Sequence, residues 1–146
     1  MLTKITRTRS WIVDPRGIVE SASTPIATRA KKLDGLRLAI LDNSKWNANN
    51  ILRTSTAALE KNVKFAKVNY YVKHSFSKDA APELIAEIAA NDDLVLTAIG
   101  DCGSCCSCCI RDSVALEKLG IPSAPIIRRN SNGRPNSPAR RSVCEA

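Results

Sequence analysis

The sequence predicts an α/β domain over residues 35–127, an open, mostly parallel four-stranded sheet with helices on both faces. Three observations point to it. Residues 36–41 and 94–99 are near-continuous apolar runs, the pattern of strands covered on both faces. The stretches between and after them place apolar residues at helical spacing. Gly and Pro punctuate the switches from one pattern to the other, and the resulting β-α-β-α-β-α-β alternation calls for right-handed crossovers.

The elements follow in order. Residues 11–20 are two short β-prone runs around Asp14-Pro15-Arg16-Gly17, a turn with Pro second and Gly fourth, which predicts a small hairpin. Residues 21–34 show neither period and read as an extended arm, completing an N-terminal region of residues 1–34. The first strand of the domain, 36–41, stops at Asp42-Asn43-Ser44-Lys45. A helix over 48–61 follows, with Ile51, Leu52, Ser55, Ala58 and Leu59 on one face. Residues 64–72 alternate as a second strand carrying Phe65, Val68, Tyr70 and Tyr71. Pro82 sits in the first turn of a helix running through Asn91, with Leu84, Ile85, Ile88 and Ala89 as its buried stripe. The third strand, 94–99, runs into Gly100-Asp101-Cys102-Gly103-Ser104-Cys105, with a helix from about Cys106 to Leu119 behind it. Gly120-Ile121-Pro122 ends that helix, and 124–127 is a short fourth strand. A further helix is expected next. Residues 128–146 instead form an Arg/Asn/Ser/Pro tail with almost nothing to bury, expected to be disordered. Either four strands suffice, or the tail replaces a lost C-terminal segment, for example through a shifted reading frame.

Composition narrows the function classes. The 146 residues are 44% apolar and 25% charged, with a net charge of +8. Five arginines against one glutamate in residues 128–146 supply +4 of that charge, so half the basicity is a tail effect. Only 4% of residues are aromatic, too few for a stacking surface on single-stranded nucleic acid, and a nucleic-acid partner is not expected. No apolar run is long enough for a membrane helix, and no apolar h-region follows the basic start, so a cytoplasmic protein is expected. No Gly-x-Gly-x-x-Gly follows the first strand and no P-loop is present; no cofactor is indicated.

Cysteine carries the functional question, because five of the six fall at 102, 105, 106, 108 and 109. Reducing compartments favour catalytic, redox or metal-binding use of such a cluster over structural disulfides. At 100° per residue, Cys106 and Cys109 share an arc with Ile110, Val114 and Leu116 and read as small buried hydrophobes, with Cys108 on the far, exposed side. Cys102 and Cys105 differ, since they form a Cys-Gly-Ser-Cys unit in a strand-to-helix turn. Unpaired N–H groups and the positive end of the helix dipole favour a thiolate there, making Cys102 the candidate nucleophile. Cys105 is spaced to resolve an adduct on Cys102 as a disulfide. Gly103 permits close backbone approach, and Ser104 can cap the helix or donate to an anion. Asn43, Ser44 and Lys45 follow a parallel strand, so they open on the same sheet edge; they can hold an anionic group of a small-molecule substrate, with Lys45 favouring the thiolate. An external thiol reductant would restore the dithiol. The competing reading is metal: Cys102, Cys105 and Cys108 have the spacing of an iron–sulfur run, but position 112 is Asp, leaving Cys144 or His74 to complete a site. His74 on its own reads as a surface residue. The charge of Asp101 can orient the loop or raise the neighbouring thiol.

The segment from Gly100 to Cys105, continuing through Asp112, Leu116-Glu117 and Gly120-Ile121-Pro122, resembles the UGSC-motif (seleno)protein family. Asp14-Pro15-Arg16-Gly17, Leu41 to Lys45 with Asn47-Ala48, and Lys73 ahead of Ala81-Pro82-Glu83 resemble its other segments, over about residues 11–127. The first motif position, selenocysteine or cysteine in that family, falls on Cys102. More distantly the motif is similar to the selenocysteine-containing subunits of glycine, betaine and proline reductases. The resemblance implies reactive chalcogen chemistry and names no substrate. The chain departs from the pattern at Trp46, where the family has Pro, at the Cys-Ser-Cys-Cys run after Ser104-Cys105, and in the tail. An inactive, truncated member of the family is the remaining alternative.

Overall fold

The computed structural model describes residue 23 and residues 25–128. The expected hairpin over 11–20 and all of the tail but Arg128 lie outside the described residues. The order is β1 (Arg37–Asp42), α1 (Ala48–Glu60), β2 (Lys67–Val72), α2 (Pro82–Asn91), β3 (Leu94–Gly100), α3 (Gly103–Lys118) and β4 (Ser123–Ile127). The four strands form one sheet in the order β2-β1-β3-β4, and every pairing is parallel. The predicted α/β architecture is therefore the observed one.

The apolar runs of β1 and β3 explain their central position. Leu38, Ala39, Ile40 and Leu41 are all at most 1% exposed, so successive side chains pack into opposite layers. Leu38, Ile40 and Ala98 pack with Ala48 and Leu52 of α1 on one face. Ala39, Leu41 and Val95 pack with Ile85 and Ile88 of α2 and Leu116 of α3 on the other. Fully burying each Leu or Ile stabilises the fold by about 1.5–3 kcal/mol. Pro82 starts α2 where its missing N–H costs nothing, and Gly120, at φ +82°, ends α3 in a left-handed conformation.

Four local expectations need correction. β2 begins at Lys67, after a loop, rather than at 64. On α1, Ala48 and Thr56 are buried with Leu52, at a spacing of four, while Ala58 and Leu59 face solvent beyond the last buried turn. α3 starts at Gly103, three residues before the expected start, which brings Cys105 into its first turn. Finally, Cys108 is 1% exposed, not on an outer face. Helical periodicity assigns one buried face, but α3 has two: the sheet on one side, and α2 with the β2–α2 loop on the other.

The arm at 25–34 has no helix or strand, as expected, yet it is anchored. Glu117 of α3 accepts from the Ala27 backbone N–H at 2.7 Å, from Arg29 at 2.9 Å and from the Ser123 backbone N–H at 2.8 Å. One carboxylate thus joins the arm, α3 and β4.

Candidate thiol site

The strand order reverses direction between β1 and β3: β1 leads outward to β2, and β3 leads the other way to β4. Loops at the carboxyl ends of two such strands open a crevice, the usual ligand position in parallel α/β sheets. Here the loops are 43–47, entering α1, and Asp101-Cys102, entering α3.

The first loop is tightly built. Ser44 and Asn47 have φ of 61° and 68°, left-handed values that are uncommon for residues with side chains. The Asp42 carboxylate accepts from the Ser44 backbone N–H at 2.8 Å and from the Tyr70 hydroxyl at 2.5 Å, and the Ser44 hydroxyl donates to the Lys73 carbonyl. Asn43 is fully buried, donating to the Ile99 carbonyl at 3.0 Å and to Cys109 Sγ at 3.4 Å, while its own oxygen accepts from the Lys45 backbone N–H at 3.2 Å. Asn43 therefore braces the loop from beneath and does not face the crevice. Ser44 is exposed, with its hydroxyl engaged by the next loop.

The second loop presents the sulfurs. Cys102 is the N-cap of α3 and is half-buried; Cys105 is fully buried beneath it. Their Sγ atoms are 2.9 Å apart, both as free thiols. Ser104 Oγ is 3.5 Å from Cys102 Sγ, so this exposed serine serves the sulfur and not the helix cap. Gly103 is exposed, and a Cβ there would meet nothing within 4 Å, so its lack of a side chain is not required by packing. That requirement falls on Gly100, where a Cβ would lie 2.5 Å from Ile127 Cδ1 and 3.0 Å from Cys106 Cα.

Lys45 crosses from the first loop to the second. Its Nζ is 3.6 Å from Cys105 Sγ, 3.9 Å from Cys102 Sγ and 3.4 Å from Asp101 Oδ1. Phe76, on the β2–α2 loop, lies with its ring centroid 4.7 Å from the same ammonium. Two residues support this arrangement from below. Lys73 and Asp112, each with only 2% of its side chain exposed, form a buried ion pair. Lys73 also donates to the Lys78 carbonyl at 2.7 Å, and Asp112 accepts from the Ala80 backbone N–H at 2.8 Å, which fixes both ends of the loop bearing Phe76.

The electrostatics separate the two thiols. Cys102 is lowered to about 7, first by hydrogen bonding from the Cys105 thiol, then by the Ser104 hydroxyl, the Cys105 backbone N–H and the Lys45 charge, against some cost of burial. Cys105 is raised, by burial first and then by giving its proton to the bond with Cys102. For Lys45, burial acts to lower the ammonium's pKa, but the Cys105, Asp101 and Cys102 charges outweigh it and the net shift is upward. Above about pH 7 the arrangement therefore favours a thiolate on the less buried sulfur, with a protonated thiol behind it.

Of the residues expected at the site, the structure brings together Lys45, Cys102, Ser104 and Cys105. His74 is exposed, and Cys108 is buried, accepting from Arg111 at 3.2 Å. The iron–sulfur spacing is thus not realised as a cluster: among the described residues, the ligand atoms gathered within 4.8 Å of one another belong to Asp101, Cys102 and Cys105. Phe76 went unnoticed in the sequence because nothing local signals a contact between loops of different strands.

The UGSC family matches residues 11–134, most of the chain. The chain belongs to the UGSC family. The matched span includes the segment before the described residues and runs past Ile127 into the tail. Searches of curated proteins and of solved structures found no match. Among the described residues of this UGSC protein, no helix is long and apolar enough to cross a membrane.

Proposed function

We propose that this UGSC-family protein is a thiol-dependent redox protein acting on a small electrophilic or oxidised substrate, such as a disulfide, in a reducing cytoplasmic setting. The observation that carries the reading is the pairing of an accessible, acidified Cys102 sulfur with the buried Cys105 sulfur 2.9 Å behind it.

The electron balance is that of thiol–disulfide exchange. The Cys102 thiolate attacks one sulfur of the substrate, forming a mixed disulfide and expelling the other as a thiolate. Cys105 gives up its proton and attacks the Cys102 sulfur, forming the 102–105 disulfide and releasing the second substrate thiolate. The substrate gains two electrons and the protein loses two. An external dithiol reductant returns them, attacking at Cys102 because Cys105 is fully buried. Lys45 favours the Cys102 thiolate electrostatically, and Ser104 is placed to donate to it.

The test is mass spectrometry of the protein after mild oxidation. The expected result is a reversible intramolecular 102–105 disulfide, abolished by Cys102→Ser. A protein that stays fully reduced, or whose disulfides form elsewhere in the cysteine run, would overturn the reading.

A further inference from the structure

The Lys45 ammonium lies against the one group of side chains, among the described residues, that could hold a metal ion. Asp101, Cys102 and Cys105 offer one carboxylate oxygen and two sulfurs, all within 4.8 Å of one another, a donor set suited to a soft divalent cation such as Zn²⁺. All three atoms converge on Lys45 Nζ, at 3.4, 3.9 and 3.6 Å. Bonds of about 2.3 Å to sulfur and 2.0–2.2 Å to oxygen would require the two sulfurs to part from 2.9 Å to about 3.8 Å, and would then put a zinc ion between these atoms, within a few ångströms of the ammonium. The two cations cannot share it without strong repulsion.

We infer that Lys45 is a tethered counter-ion which occupies the cation position of a latent Cys₂Asp site and so keeps thiophilic metals off the Cys102–Cys105 pair. This deepens the thiol-redox reading and rests on it, since a pair captured by zinc has no free thiolate to react. Lys45 is then a specificity-determining residue. It supplies the positive charge that favours a thiolate, in a form that leaves the sulfur's lone pairs available to substrate. The Phe76 ring against the ammonium and the Asp101 carboxylate beside it hold it in place, where a solvated lysine would leave the sulfurs open.

The experiment is titration of Zn²⁺ against a chromophoric chelator, using the reduced full chain in four forms: wild type, Lys45→Gln, Lys45→Met and Lys45→Arg. Both neutral variants are expected to bind zinc at least about tenfold more tightly than wild type, and Lys45→Arg to stay near wild type because it keeps the charge. Adding Asp101→Asn to Lys45→Gln should remove most of the gain. Equal affinities across the four forms, or an arginine variant that gains as much as the neutral ones, would overturn the inference. If neither neutral variant folds, the wild type decides. Zinc bound more tightly than about 1 µM and lost when Cys102 is alkylated would contradict exclusion, and weaker binding would support it. Zinc affinity is read without any redox step, so a protein that forms no 102–105 disulfide fails the functional reading alone.

Discussion

The two halves of one cysteine run behave as different chemical materials. Cys102 and Cys105 occupy the first turn of α3, at the sheet edge, facing an ammonium and a hydroxyl. Cys106, Cys108 and Cys109, less than two turns further along, are each at most 1% exposed. Burial pushes the Cys109 thiol up to about 12 and raises Cys108 as well. The same side chain is a nucleophile at one end and packing material at the other. The difference comes from what surrounds each sulfur: a helix-start amide, a hydroxyl and an ammonium at the first turn, sheet and loop on both sides deeper in.

Four substitutions can break or sharpen this contrast. The largest effect belongs to the platform under the inert half. Lys73→Met leaves the Asp112 carboxylate buried without its partner and should cost about 3–5 kcal/mol in chemical denaturation. A cost under about 1 kcal/mol would mean that the inert half is not packed as described. Next comes Cys105→Ala, which removes the leading cause of the lowered Cys102 pKa. Alkylation of Cys102 should rise with pH around a midpoint of about 7 in wild type, since the thiolate predominates above that value. The variant's midpoint should move up toward that of a free thiol, about 8.5, slowing alkylation at pH 7 by up to about tenfold. An unchanged midpoint would assign the activation elsewhere. A last pair compares two glycines beside the reactive turn, one of which should cost almost nothing. Gly100→Ala should cost about 1–3 kcal/mol through its clash with Ile127 and Cys106, whereas Gly103→Ala should fall within about 0.5 kcal/mol of wild type in thermal unfolding. Equal costs would show that the helix start, and not the crossing of β3, β4 and α3, demands the missing side chain.

Much of this was legible in the residues themselves. The unbroken apolar runs of β1 and β3 place both strands at the centre of a doubly covered sheet, and Pro82 and Gly120 mark helix ends that the structure keeps. The two motif loops had to share an edge once the strands were parallel, which is why Lys45 could be set against Cys102. Other features depend on contacts that no local pattern encodes. Helical periodicity describes a single buried face, so it put Cys108 outside. Asn43 has the chemistry of a ligand-binding amide, but its loop turns it inward to Ile99 and Cys109. Phe76 and the Lys73–Asp112 pair matter only because the β2–α2 loop folds back over α3, and the need for Gly100 arises where three elements cross.

That crossing has a mechanical side. The backbone N–H of Arg128 donates to the Gly100 carbonyl at 2.7 Å, and Ile127 presses on the same glycine. Gly100 is two residues from Cys102, so the point where the chain leaves the sheet is hitched almost directly to the reactive sulfur. The C-terminal end of β4 is thus one of the contacts that set where the backbone turns toward the sulfur.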